Sequence, residues 1–157
     1  MKVQLENVKP MDIEKRSFEI ITEELGDKKL VPGTELVVKR CIHTSADFDY
    51  ADNLCFSPEV IEKAMAAIKD GACIVTDTQM AKSGINKRAL ARYGGEVYCF
   101  MSDKDVAEMA KKNGTTRATA SMDKAAALNK KLIFAIGNAP TALIRLYEMI
   151  QEGRLKP

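Results

Sequence analysis

Gly71-Ala72-Cys73-Ile74-Val75-Thr76-Asp77-Thr78 is a short apolar run that opens on a glycine and closes on three polar residues. Its four consecutive apolar residues, 72–75, show no in–out alternation, which fits a strand covered on both faces, as in a parallel sheet. The flanks agree. Upstream, Ser57-Pro58 reads as an N-cap followed by proline at the first helical position, and Val60, Ile61, Ala64, Met65 and Ile68 make one helical stripe. Downstream, a short helix is predicted over 85–93, closed by Gly94-Gly95, and a second buried strand over 97–101. Ser102-x-x-Asp105 resembles a capping box and opens a helix that Gly114 ends. A helix over 118–130, a strand over 132–136 and a helix from Pro140 complete that half.

Toward the N-terminus, Ile13, Phe18, Ile21 and Leu25 predict a helix over 11–25, and the β-branched run 36–42 predicts a strand leading straight into His43. Four strands alternating with helices give an α/β protein with a mostly parallel sheet and helices on both faces, a three-layer α/β/α sandwich. Its crossovers are right-handed, and its sites lie beyond the carboxyl ends of the strands.

Composition narrows the functional classes. The 157 residues predict a single domain over 1–157. With 46% hydrophobic and 29% charged residues, the chain has enough apolar surface for a core and is not of the disordered class. No apolar run is long enough to span a bilayer, and MKVQLENVKP lacks the apolar segment of a signal peptide, so no membrane and a cytoplasmic location are expected. Lys and Arg number 24 against 22 Asp and Glu, a balance that gives nucleic acid no electrostatic footprint. Cys41, Cys55, Cys73 and Cys99 form no C-x-x-C pair, and His43 is the single histidine, so the cysteines read as reduced, mostly buried thiols and no metal site is expected.

Polar residues gather where the predicted strands end: Arg40 and His43 on the first, Thr76-Asp77-Thr78 on the second, Gly137-Asn138-Ala139-Pro140-Thr141 on the last, with Thr116-Arg117 in a neighbouring loop. Histidine is the side chain whose ordinary pKa permits proton transfer near neutrality. On a regular strand Arg40 and His43 would face opposite sides, and position alone leaves His43 open between structure and catalysis. Arg40 and Arg117 are either solvated surface cations or two-point ligands for substrate carboxylates. The 137–141 turn would leave free N–H groups at a helix start, which suit an anion. Asp47, Asp49 and Asp52 read as a solvated polar turn, since they lack the glycine and terminal glutamate of a calcium loop.

Several ordered strings go further: Ile13-Glu14-x-x-Ser17-Phe18, Lys39-Arg40-x-Ile42-His43-Thr44-x-Ala46-Asp47-Phe48, the 71–78 run, Met80-x-x-x-Gly84-Ile85-Asn86, Thr116-Arg117, and Ile136-Gly137-Asn138-Ala139-Pro140-Thr141-Ala142-Leu143. Together they resemble the precorrin-8X methylmutase family (precorrin isomerases), from about residue 10 to the end. The resemblance implies an isomerase of cobalamin biosynthesis that moves a methyl group from C-11 to C-12 of precorrin-8 or cobalt-precorrin-8, giving hydrogenobyrinate or cobyrinate. No cofactor is implied. His43 matches the family's catalytic histidine, which protonates the tetrapyrrole and eases a suprafacial [1,5] methyl shift. Ser17, Arg40 and Arg117 match substrate-contacting positions, and Thr76, Asp77, Asn138 and Thr141 are expected beside them. A non-catalytic corrinoid-binding protein is the alternative. The resemblance further implies a homodimer, and a strand and helix following position 157. A chain ending at Pro157 is expected to expose a sheet edge, to be less stable than a longer version and to self-associate.

Overall fold

The computed structural model describes residues 8–156. Two compact units divide the chain, one up to Ile61 and one from Glu62 onward.

The first unit is helical. A 3-10 turn, Pro10–Asp12, leads into α1, Ile13–Leu25, and Gly26 closes it by donating its N–H to the Thr22 and Glu23 carbonyls. The run expected as a strand over 36–42 is instead helix α2, Glu35–Ser45. Burial explains the difference. As a strand, 38, 40 and 42 would share a face and drive Arg40 into the core. As a helix, Val38 and Ile42 stand one turn apart on the inner face, 2% and 1% exposed, while Leu36 lies outside at 72%. Tertiary burial thus overrides the β preference of the branched residues. Val38 and Ile42 pack with Ile21 of α1, and Leu25, Leu30, Phe48, Leu54 and Phe56 close around them. Ala46, left-handed at φ 56°, ends α2 by donating its N–H to the Ile42 carbonyl at 2.7 Å. The acidic stretch is a polar turn, with Asp47 accepting the Asp49 N–H at 2.9 Å ahead of the short helix α3, Tyr50–Asn53.

The second unit carries the sheet. Helix α4, Val60–Lys69, starts at the boundary and leads to strand β1, Cys73–Thr76. Two short helices, α5 (Gln79–Gly84) and α6 (Lys87–Ala91), precede β2, Val97–Tyr98. Then come α7 (Lys104–Asn113), α8 (Arg117–Ala126), β3 (Leu132–Ala135) and α9 (Pro140–Gln151). The strand order is β2-β1-β3, parallel throughout, with Ile74 opposite Val97 and Ile133. Three of the four expected strands therefore form, each over a shorter span for β2 and β3, and the α/β class with a parallel sheet holds. Ser102 does not cap α7: Asp103 occupies the N-cap position, and the Ser102 hydroxyl accepts from Gln79 at 3.2 Å.

Val75 of β1 sits in a core with Phe100, Val106, Met122, Leu146 and Met149. Arg145 of α9 donates to Asp123 of α8 through Nε and Nη2, tying the two helices together. Gly95 approaches β1 so closely that a Cβ there would lie 2.9 Å from the Leu90 side chain and nearer still to the Ala72 carbonyl, so no other residue fits. All four cysteines are free thiols, Cys73 and Cys99 buried, Cys41 partly covered and Cys55 exposed.

Candidate active site

The change from strand to helix at 35–45 alters the site. On a helix, residues three apart are neighbours, so Arg40 and His43 share a face near the end of α2 instead of pointing apart. Facing them on α1 are Glu14, Ser17 and Phe18, themselves one turn apart. The Arg40 guanidinium lies 5.2 Å from the centre of the Phe18 ring, within cation–π range. The same ring meets the His43 imidazole edge-on, centroids 5.9 Å apart at 68°. One phenyl group thus positions both a cation and a proton carrier.

Glu14 completes the group. Arg40 Nη1 and Nη2 donate to its two carboxylate oxygens, each at 2.8 Å, in a two-point pair. These hydrogen bonds hold the Glu14 carboxyl below the usual range against the opposing effect of desolvation, and the charges of Arg40 and then His43 act with them. Arg40 is correspondingly raised by Glu14. Both side chains are 55% exposed. Ser17, half-buried, lies on the same face of α1, one turn after Glu14. The sequence assigned no role to Glu14 or Phe18. The signal was the 14, 17, 18, 21 spacing on α1, which gains meaning only once its partner segment is a helix.

In the second unit the expected residues collect at the carboxyl end of the sheet. Thr76 is fully buried, its hydroxyl 3.0 Å from the Thr78 carbonyl oxygen and 3.3 Å from that of Tyr98. Asp77 is 1% exposed and accepts N–H groups from Gly137 at 3.3 Å and from Asn138 and Ala139 at 2.7 Å. Burial pushes its carboxyl up, but the N–H groups of Ala139, Asn138 and Gly137 outweigh this and leave it below the ordinary range. The expectation of free N–H groups ahead of α9 is therefore corrected: the protein's own carboxylate fills the anion position. Thr76 and Asp77 act on the backbone around them.

Around that turn, Asn138 is exposed and partly covered Thr141 meets Thr116 hydroxyl to hydroxyl at 3.0 Å. Thr116 caps α8 by accepting the Thr119 N–H at 3.1 Å. Arg117, the first residue of α8, is exposed, and its side chain makes no ion pair or hydrogen bond among the described residues. A depression of about 280 Å³ is lined by Thr116, Thr119, Thr141, Arg145 and others. A larger one, about 820 Å³, is lined by Leu132 and Phe134 of β3 and by Leu143, Leu146, Tyr147 and Ile150 of α9, and contains none of the catalytic or substrate-binding residues expected from sequence.

Comparison with known proteins identifies the family. The family profile of precorrin-8X methylmutase matches residues 12–157, across both units. The cobalt-precorrin-8 methylmutase of Priestia megaterium is 46% identical over 150 residues, covering 96% of this chain and 67% of that protein. The Salmonella typhimurium protein of the same name is 45% identical over 145 residues, 88% of this chain and 69% of that protein. The crystal structure of precorrin-8x methyl mutase from Thermus thermophilus superposes with a TM-score of 0.80 at 36% identity, covering 91% of this chain and 69% of that one. The chain thus spans about two thirds of the length of these relatives, and it belongs to the precorrin-8X methylmutase family.

Proposed function

We propose that this chain is an isomerase of cobalamin biosynthesis that moves the C-11 methyl group of cobalt-precorrin-8 to C-12, with His43 as the proton donor. The observation that carries this reading is the placement of His43 and Arg40 one turn apart on α2, both against the Phe18 ring. The shift is intramolecular: the methyl bond to C-11 breaks as the bond to C-12 forms, so no co-reactant is consumed. The protein's task is to hold the ring, deliver a proton and tolerate the delocalised positive charge. His43 supplies the proton before the shift, and a proton is lost from the ring after it, so the net change is an isomerisation. Arg40, with Ser17 on the facing helix, takes a substrate carboxylate. In the second unit, Arg117, Asn138 and Thr141 are carboxylate-binding groups; Asp77 fixes the turn that carries Asn138, and Thr76 holds the backbone at the ends of β1 and β2.

We further propose that the two units form one precorrin isomerase-like domain, working in the cytoplasm as a homodimer. Four free thiols suit a reducing compartment. No helix among the described residues is long and apolar enough to cross a membrane. Leu143, Ile144 and Tyr147 on α9 are exposed apolar surface for self-association.

The test is spectroscopic. Incubation with cobalt-precorrin-8 should change its visible absorption as the methyl group migrates. His43→Ala should abolish the change while far-UV circular dichroism stays native. An active alanine variant removes His43 from the mechanism, and tight binding without conversion by the parent protein returns the non-catalytic corrinoid-binding reading.

A further inference from the structure

Both terminal nitrogens of Arg40 donate to Glu14, so the two-point end of its fork is filled by the protein itself. A planar guanidinium offers that end to one carboxylate at a time. A substrate carboxylate bound there in two-point fashion needs the same two N–H directions. Glu14 is therefore a competitor for the position assigned above to a substrate arm. Its surroundings permit exchange: both partners are 55% exposed, and an ion pair in water is held weakly. Phe18 supports the guanidinium from one side whichever carboxylate it holds.

We propose that Glu14 is a built-in stand-in for a substrate carboxylate: it occupies the Arg40 fork in the unliganded protein and gives way to a carboxylate arm of the tetrapyrrole. The proposal rests on the reading of Arg40 as a carboxylate-binding residue. It makes Glu14 a specificity-determining residue. A tethered carboxylate competes at an effective concentration in the millimolar range, so a small monocarboxylate does not displace it. A macrocycle anchored through other arms presents its own carboxylate at comparable effective concentration and does. A residue that merely oriented Arg40 would have the opposite signature, since its removal would weaken binding.

The experiment measures Kd for uroporphyrin, an octacarboxylate tetrapyrrole, by fluorescence quenching, and KM and kcat for cobalt-precorrin-8 by visible absorption. The proteins are the parent chain, Glu14→Gln, Arg40→Ala and the double variant. Glu14→Gln should lower Kd and KM by about two- to fivefold, the scale of one exposed ion pair, with the change falling on KM rather than as a rise in kcat. In the Arg40→Ala background the same substitution should give no gain. Unchanged or weaker binding by Glu14→Gln overturns the proposal, as does a gain that persists without Arg40, which would be general relief of negative charge. Failure of the parent protein to bind or convert either tetrapyrrole sinks the proposed function itself and this inference with it; binding by the parent with no gain in Glu14→Gln sinks the inference alone.

Discussion

Two carboxylates dominate the two halves of this molecule. Glu14 and Asp77 each receive multiple hydrogen bonds, and each is held below its ordinary pKa by them. Glu14 stands in water and is bound by a side chain on a neighbouring helix. Asp77 is buried and bound by three backbone N–H groups from a turn 60–62 residues away in sequence. Hydrogen-bond count does not separate them; solvent does. A partner lost at the surface is replaced by water, whereas one lost in the interior leaves donors unpaired at the full cost of their desolvation. The first carboxylate is exchangeable, the second is part of the frame.

The strongest way to break this contrast is to remove each carboxylate and measure stability. Asp77→Ala should cost about 2–4 kcal/mol in a denaturant titration, because buried N–H groups lose their acceptor, while Glu14→Ala should leave the unfolding midpoint nearly unmoved. Equal losses would erase the distinction. The pH dependence carries the same sign. Asp77's folded pKa is depressed, so its contribution is present above the unfolded value near 4 and is lost as pH falls through the lower folded one. In Asp77→Asn, that portion of the acid unfolding limb should flatten.

A smaller effect sharpens the comparison from the cationic side. Arg40 holds a counter-ion and Arg117 has none among the described residues. Alanine at either should weaken tetrapyrrole binding, by roughly 1–3 kcal/mol where a charge-assisted contact is lost, with Arg117 showing the larger loss because binding at Arg40 is net of displacing Glu14. Lysine should rescue only in part. Titrations of Arg40→Ala and Arg117→Ala side by side decide it, and a larger loss at Arg40 would contradict the order. The smallest effect concerns the end of the helix that carries His43. Ala46 adopts φ 56° there, a region costly for any residue with a Cβ. Ala46→Gly should raise stability by up to about 1 kcal/mol in the same titration, and a loss would mean that glycine's unfolded-state entropy outweighs the relieved strain.

The sequence was legible where one rule governs. Ala72-Cys73-Ile74-Val75 and Leu132-Ile133-Phe134-Ala135 are short apolar runs, and they form the neighbouring parallel strands β1 and β3. It was ambiguous where two rules compete. Val37, Val38 and Ile42 speak for a strand by branching and for a helix by the four-residue spacing of the two that are buried. Arg40 held the answer, because a strand would have placed it between Val38 and Ile42 on the core face. The site followed the same division. His43, Arg40 and Ser17 fall on facing helices, although the geometry that gathers them was expected to be a different one. Asp77 at a strand end read as a ligand contact, since nothing local reveals that its partners are N–H groups sixty residues on.

That separation in sequence has a kinetic side. The carboxylate of Asp77 and the turn at 137–139 come within reach only after β1 and β3 have aligned, which closes a loop of about sixty residues at an entropic cost that grows with the logarithm of its length. Without that alignment the N–H groups of 137–139, just ahead of α9, are left to water. The contact therefore rewards one register alone: it gives nothing to a chain with the strands misaligned, and its full hydrogen bonding to one in which β3 has found its place.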